Sequence, residues 1–203
     1  MSTTTRELTK GEETRALILD RALDIASVNG LEGLTIGGLA VALNMSKSGL
    51  FAHFGAKTEL QLAVLRRAAE RFVTTVLAPA LKQPRGEPRV RALFDAWIAW
   101  DRDAFPGGCV LDAASVEFDD VEGPIRDYLV DARRDSFDTL TTVARAAVQA
   151  KAFRADLDPR LFAFELLNIL SGYRRHARLF RDDDAEALTR ASFEALLDRC
   201  RPT

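Results

Sequence analysis

Three polar residues, Ser46, Lys47 and Ser48, stand together at the start of a short segment whose following residues are mainly small or apolar. A serine oxygen can accept a hydrogen bond from the first N–H groups of a helix, while its O–H donates to another acceptor. Lysine adds a positive charge that attracts phosphate, and both side chains can reach base edges in the major groove. This combination at one end of a short helix favours binding to DNA over catalysis.

Catalytic or metal-binding chemistry has few candidate residues. The chain has two histidines, His53 and His176, and two cysteines, Cys109 and Cys200, with neither a Cys-x-x-Cys nor a Glu-x-x-His spacing. A zinc site needs more ligands at closer spacing, and a covalent mechanism needs a nucleophile beside a base. The sequence also lacks a glycine-rich phosphate loop. We therefore predict no metal and no cofactor, and an enzyme built on a helical bundle is disfavoured.

The composition is that of a soluble globular protein, since 47% of the 203 residues are hydrophobic and 29% are charged. The formal net charge is −2, and residues 1–60 hold six basic and seven acidic residues, so bulk charge does not indicate a polyanionic partner. The most apolar stretch, residues 161–170, is short and is interrupted by Glu165 and Asn168. Because neither this stretch nor the N-terminus is typical of a membrane span or secretory signal, we expect a cytoplasmic protein without membrane contacts.

Helices must position the polar residues, because apolar residues recur at intervals of three and four. Ile36, Leu39, Ala40 and Leu43 form one helix face, and no stretch alternates as a strand would. Glycine and proline punctuate the chain between such stretches. The predicted fold is all-α, with about nine helices, at residues 11–29, 35–43, 47–53, 57–82, 87–104, 109–118, 124–151, 159–180 and 184–200.

Short, closely spaced helices give way to long ones after about residue 57. We therefore predict an N-terminal three-helix head with a helix-turn-helix over residues 1–56, and a helical-bundle body over residues 57–203. Asn44 lies in the turn of the head, where a left-handed conformation favours glycine or asparagine. Leu50 and Phe54 would fix the second helix of the motif to the core and leave Lys47 facing outwards.

The stretch A-V-A-L-N-M-S-K-S-G-L-F-A-H-F-G-A-K-T-E-L resembles the helix-turn-helix of the tetracycline-repressor (TetR) family of bacterial regulators. The turn, the serine cap, the aromatic pair, the lysine and the leucine are in register, and the resemblance covers about residues 11–62. Two positions depart from the family pattern. Asn44 replaces the usual glycine, and Phe51 replaces the commoner tyrosine, which removes a hydroxyl that often touches phosphate.

The resemblance implies DNA contacts of three kinds. Side chains at helix ends would hold phosphates, polar residues at the start of the recognition helix would read bases, and an aromatic ring would pack on a sugar or a thymine methyl. The phosphate contacts would come from Thr35, His53 and Lys57. The bases would be read by Ser46, Lys47 and Ser48, and Gly49 would allow the backbone to approach the DNA closely. The aromatic ring would be that of Phe51. A basic N-terminal arm would add Arg6, Lys10 and Arg15.

In the family that this sequence resembles, the body usually holds an effector pocket. Its candidate lining here is largely aromatic and includes two tryptophans three residues apart, so we expect a small apolar or aromatic effector. The candidate ligand-binding residues are Phe94, Trp97, Trp100, Phe105, Cys109, Leu111, Phe118, Phe137, Phe164, Leu167 and Tyr173. Polar anchors could come from Asp101, Asp112, Glu117 or Tyr173. The alternative for each residue is simple core packing.

Cys109 offers a different way of sensing. It follows Phe-Pro-Gly-Gly at a predicted helix start, where backbone N–H groups favour a thiolate. The alternatives are a redox- or electrophile-sensing regulator that acts through Cys109, and a small buried residue without reactivity.

The resemblance also implies that the last two helices pair with a second copy in a four-helix interface. The expected protein is a homodimer that binds double-stranded, palindromic operator DNA, with repression as the usual mode, and that a small-molecule effector releases. The alternative is a helical protein–protein adaptor with a degenerate head, which DNA binding alone distinguishes. The basic run at residues 174–178 indicates a solvated or interface-rim face rather than a second DNA patch.

Overall fold

The computed structural model describes residues 9–202, and within that range the chain forms nine helices and no strand, which confirms the predicted all-α fold. Three helices form the head: α1 (Lys10–Asn29), α2 (Ile36–Ala42) and α3 (Lys47–Phe54). Each observed end lies within one residue of the predicted end. The reason is that helix ends are encoded by local side chains, which a sequence displays directly.

Six helices form the body, and most of them are longer than α2 and α3 of the head. The first, α4, runs through Lys57–Phe72, a wider π-helical turn at Val73–Leu77 and a last turn at Ala78–Leu81. It is followed by α5 (Glu87–Asp103), α6 (Val110–Glu117) and α7 (Pro124–Gln149). The last two are α8, which runs through Pro159–Arg174 and a π-helical turn at Arg175–Phe180, and α9 (Ala185–Cys200). The π-helical turns were not predicted.

Side-chain caps set the helix starts that carry the motif. The Thr35 oxygen accepts a hydrogen bond from the Gly38 N–H, and the Ser46 oxygen accepts one from the Gly49 N–H, each at 3.0 Å. The Asp158 carboxylate caps α8 in the same way. The Ser46 cap is as predicted, and each of the three caps contributes about 1 kcal/mol relative to alanine.

The hydrophobic core runs continuously from α1 to α9. In the body, Phe94 of α5 stacks on Phe193 of α9 with ring centroids 3.9 Å apart. Burying such a ring contributes roughly 1.5–3 kcal/mol. Because α4 packs against both α1 and α7, it belongs to head and body alike. The division of the chain at residue 57 therefore stays a prediction.

Besides the contacts made by α4, the loop before α6 and the end of α6 join the body to the head. The Gly107 N–H donates to the Ser27 hydroxyl at 2.9 Å, and the backbones approach so closely that a Cβ on Gly107 would lie 1.7 Å from the Ser27 carbonyl oxygen. The Glu117 carboxylate, at the end of α6, accepts hydrogen bonds from the N–H groups of Leu31 and Glu32, each at 2.8 Å. Glu117 therefore holds the α1–α2 loop of the head, which differs from its predicted use as a ligand anchor.

Among residues 9–202, no helix is long and apolar enough to cross a membrane. The same part of the chain has no cluster of three or more histidine, cysteine or acidic residues that could hold a metal ion.

Candidate DNA-binding surface and body clefts

The recognition-helix candidate, α3, has one buried face and one exposed face. Leu50 and Phe54 are buried in the head, whereas Lys47 and Ser48 are exposed at the N-terminal end. Phe51 lies on the exposed side of α3 and is 53% exposed, which is unusual for so large an apolar ring. The exposed face of α3 thus combines two polar side chains with a large apolar one.

The turn before α3 has the geometry that the sequence predicts. Asn44 has a φ of 53°, in the left-handed region, and the Met45 N–H bonds back to the carbonyl of Ala40 at 2.9 Å. Asparagine tolerates this conformation because its short side chain causes little strain there. Replacement of the usual glycine by Asn44 therefore leaves the turn intact.

The hydroxyl oxygens of Thr35 and Ser46 have a structural role, because each accepts the capping hydrogen bond at the start of its helix. Each O–H can still donate to a phosphate or a base. Gly49 makes room for the Ser46 cap, because a Cβ at this position would lie 3.0 Å from the Ser46 oxygen. Ser48 lies beside the same cap, with its hydroxyl oxygen 3.2 Å from that of Ser46.

Lys47 and Lys57 differ in how their charges are used. Within the described residues, Lys47 has no ion pair, and its side chain runs alongside Gly37 of α2. The Lys57 ammonium, in contrast, donates to the carbonyl oxygen and the carboxylate of Glu32, both at 2.7 Å. A phosphate at the start of α4 must therefore compete with Glu32 for Lys57. The Lys47 contact thus joins the first turns of α2 and α3, whereas the Lys57 contact joins the start of α4 to the α1–α2 loop.

His53 and the proposed basic arm are only partly placed where the resemblance puts them. The half-buried His53 ring lies 6.2 Å from the Phe54 ring, between centroids. The Arg15 guanidinium donates to the His53 carbonyl at 2.7 Å and lies 4.5 Å from the Phe54 ring centroid. Arg15 is thus part of the head rather than of an arm, which corrects that prediction. Lys10 begins α1, and Arg6 lies outside the described residues.

Most of the candidate pocket residues fill the core of the body. Trp97 and Trp100 both pack edge-on against Phe72, at centroid distances of 4.7 and 5.5 Å, and Phe105 packs on Trp100 at 5.2 Å. The fully or largely buried members of the set are Phe94, Trp97, Trp100, Phe105, Cys109, Leu111, Phe118 and Tyr173. The two tryptophans therefore pack against other aromatic rings in the core and do not line the cavity that the sequence suggests.

Phe164 is a correction to the candidate pocket. It is 60% exposed on the outer face of α8, together with Leu161 at 56%. A ring in this position cannot line an interior cavity of its own chain. Helical periodicity placed it on a broad apolar face but could not distinguish the core side of that face from the outer side.

The body has several open clefts. One of about 800 Å³ lies between α4 and α7 and includes Leu77, Arg89 and Arg145. A cleft of about 550 Å³ lies among α6, α7 and α8 and is lined by residues that include the predicted Phe137 and Leu167. A third, of about 340 Å³, includes the predicted Phe118. Arg133 and Arg134 line both of the smaller clefts, so these two adjoin.

Asp101 is the most unusual polar residue of the body. It is 6% exposed, and its Oδ1 atom has no hydrogen-bond partner in the described part of the chain. Burial and, to a smaller extent, the nearby negative charge of Asp112 together raise the pKa of the Asp101 carboxyl to about 7, against opposing effects of Arg174 and Arg133. This carboxyl therefore changes its charge near neutral pH.

Cys109 is 4% exposed, and burial raises the pKa of its thiol. Its position before α6 is as predicted, but the loss of solvent outweighs any stabilisation of a thiolate by the helix N-terminus. The carbonyl of Cys109 accepts a hydrogen bond from Arg174, which fixes the loop from α5 to α6. A buried, protonated thiol does not suit a redox or electrophile sensor.

A Cys200→Ser variant leaves Cys109 as the single thiol. We expect this thiol to react with a disulfide reagent at least about a hundredfold more slowly in the native protein than in urea, because the reaction needs local opening of the fold. The release of the coloured thiolate at pH 8, followed with time, measures both rates. Cys109→Ser is the matched variant and reports Cys200, which is also buried. Rapid native reaction of Cys109 would instead support the sensing alternative.

Two family models match the chain. The model described as "Bacterial regulatory proteins, tetR family" matches residues 18–64, and "Tetracyclin repressor-like, C-terminal domain" matches residues 86–193, more than half of the chain. The first covers the helix-turn-helix, and the second covers most of the body. A comparison with curated proteins finds no match.

Solved structures share the fold over nearly the whole chain. A TetR transcriptional regulator from Chloroflexus aurantiacus J-10-FL is 21% identical with a TM-score of 0.83, covering 94% of this chain and 96% of that one. A putative transcriptional regulator from Saccharomonospora viridis, in complex with choline, is 18% identical with a TM-score of 0.79, covering 94% and 99%. AibR, in complex with isovaleryl coenzyme A and operator DNA, is 23% identical with a TM-score of 0.66, covering 85% and 94%.

Proposed function

The chain belongs to the tetracycline-repressor (TetR) family of bacterial regulators, and from this premise we propose that it is a ligand-responsive repressor that binds a palindromic operator as a homodimer. The observation that carries the proposal is the exposed face of α3. Lys47, Ser48 and Phe51 lie outwards there, while Leu50 and Phe54 hold the helix in the core. A face with these residues suits base edges and thymine methyl groups in the major groove.

The phosphate contacts proposed for the head are those of Thr35, His53 and Lys57, with the α4 N-terminus as an anion site. Thr35 and Ser46 keep their O–H groups for DNA while their oxygens cap helices. Because Lys57 must give up its ion pair with Glu32 to bind a phosphate, its net contribution to operator affinity is reduced. Since AibR has been solved with operator DNA, DNA binding by the same fold supports the proposal.

The proposed dimer surface is the outer face of α8 and α9. Leu161, Phe164 and Leu188 are each more than half exposed on it, and Leu188 also lines a groove of about 180 Å³ between the two helices. Isolated exposed apolar residues are ordinary, but several on two neighbouring helices favour an interface. A second copy would cover them symmetrically.

The proposed effector acts through the joints between body and head. Glu117 on α6 holds the backbone of the α1–α2 loop, and the loop before α6 touches the end of α1. A ligand that moves α6 would therefore change the position of the head and shift the population away from the DNA-binding state. The complexes of relatives with choline and with isovaleryl coenzyme A support control by a small molecule.

The test is the selection of random duplex DNA by the purified protein, followed by sequencing of the retained duplexes. We expect a palindromic site whose half-sites are spaced about one helical turn or somewhat more. Lys47→Ala should lower operator affinity about tenfold and relax the preference at one or two bases in each half-site, because it removes a groove-facing cation.

The matched control is Lys82→Ala, which removes the same charge from an exposed site at the end of α4 in the body. It should leave both affinity and preference unchanged. An unchanged selection profile for Lys47→Ala would remove Lys47 from the readout. If the wild-type protein enriches no sequence even at low salt, the adaptor alternative replaces the proposed function.

A further inference from the structure

We infer that the 550 Å³ cleft among α6, α7 and α8 binds an organic anion with an apolar body, which competes with Asp112 for the arginines around it. The inference rests on the proposed function, because it names the effector class and the way in which occupancy reaches the head. It differs from the sequence-based expectation of an apolar or aromatic effector by giving the ligand a charge.

The centre of this cleft has more positive than negative charge. Asp112, 27% exposed, is shared between Arg133 at 3.1 Å and Arg174 at 3.6 Å, whose side chains are 33% and 18% exposed. One partly buried carboxylate thus faces two partly buried guanidinium groups, of which Arg133 lines the cleft and Arg174 lies beside it, against Asp112. Asp101 faces the same arginines from α5, but its pKa of about 7 keeps it largely uncharged below neutral pH. The arginines therefore have room for a second anion.

Arg160 strengthens this preference at the mouth of the cleft. It has no ion pair within the described residues, and its guanidinium lies 5.3 Å from the centroid of the Phe137 ring. The acidic residue on the same rim is Asp138, which is exposed and therefore well screened by water. Arg134 completes the rim and pairs only loosely with the exposed Asp131, at 3.7 Å.

The apolar body of the ligand would occupy the adjoining 340 Å³ cleft. Phe118, Leu129 and Val130 line it, and Arg133 and Arg134 stand between the two spaces. Arg126 and Asp119 also line this second cleft with one charge of each sign, and the Arg126 guanidinium donates to the carbonyl of Asp119. A carboxylate at the arginines with a hydrocarbon chain between α6 and α7 fits both spaces.

Occupancy of the cleft reaches the head through α6. Asp112 lies in the first turn of this eight-residue helix, and Glu117 is its last residue. A ligand anion that takes Arg133 from Asp112 releases the first turn of α6 from α7. Because the other end of α6 holds the backbone of Leu31 and Glu32, the released helix changes the position of the head.

The experiment uses octanoate as the probe and titrates it into the full-length protein by calorimetry at fixed pH and salt. We expect saturable binding of octanoate and none of octylamine, which has the same chain and the opposite charge. Arg160→Gln should weaken octanoate binding about tenfold or more. Arg145→Gln, a change of the same kind on an exposed residue of the other α7 cleft, should alter it less than about twofold.

A second measurement follows release of the selected operator. Octanoate should release it from the wild type and the Arg145→Gln variant at concentrations about tenfold lower than from Arg160→Gln. No octanoate binding, equal binding of octylamine, or equal affinity of the two variants would overturn the inference. Octanoate binding without any operator binding would leave the cleft assigned and remove the proposed regulatory function instead.

Discussion

Leu188→Asp should convert the protein from dimer to monomer and lower its operator affinity by about a hundredfold or more. Leu188 is 54% exposed on α9 and lines the groove between α8 and α9, so the fold of one chain does not depend on it. In a twofold dimer, however, both copies would bury an unpaired carboxylate. At roughly 3–5 kcal/mol for each, the dimer dissociation constant should rise by at least about a thousandfold.

Operator affinity should fall because the monomer carries only one head, although that head itself is unchanged. A monomer reaches one half-site, and the gain from binding two linked half-sites together is about a hundred- to ten-thousandfold. Sedimentation velocity gives the oligomeric state, and a titration of labelled operator gives the affinity.

Val121→Asp is the matched control, because Val121 is 52% exposed in the loop between α6 and α7 and lies outside α8 and α9. It should stay dimeric and bind the operator as the wild type does. A dimeric Leu188→Asp variant with wild-type affinity would show that the subunits meet elsewhere.

The sequence predicted the helices and their order closely because their signals are local. Ser46 caps the helix that it was expected to cap, and Asn44 takes the left-handed conformation. Each of these depends on atoms within a few residues along the chain. The polar face of α3 could be predicted for the same reason, since the buried positions of one short helix determine its exposed ones.

Contacts between distant residues could not be predicted in this way. Glu117 binds backbone N–H groups more than eighty residues earlier in the chain, and Arg15 reaches the carbonyl of His53. Phe164 and Trp97 are both large aromatic residues in the sequence, but Phe164 is exposed and Trp97 is buried in the core. Only the packing of whole helices decides these positions, and it also places Asp112 between two arginines.

Asp101→Asn should stabilise the protein by several kcal/mol at pH 8 and by little near pH 4. In the folded chain the Asp101 carboxyl has a pKa of about 7, whereas its ordinary value is 3.8, because burial penalises the charged form. The folded state therefore keeps a proton that the unfolded state loses. The stability that this neutral carboxyl provides is fully present below pH 3.8 and is lost progressively as the pH rises to about 7. The difference between these two pKa values corresponds to roughly 4 kcal/mol.

Asparagine has nearly the same shape as the protonated carboxyl and carries no charge at any of these pH values. The unfolding free energies of variant and wild type should therefore diverge as the pH rises from 3.8 to about 7 and differ by a constant amount above that, as urea unfolding followed by circular dichroism would measure at one protein concentration. Asp131→Asn, on the exposed face of α7, is the control and should change stability by less than about 0.5 kcal/mol throughout. If the difference for Asp101→Asn does not grow with pH, the arginines on α7 and α8 already compensate an ionised Asp101. The charge balance around Asp112 would then have to include that carboxylate as a permanent anion.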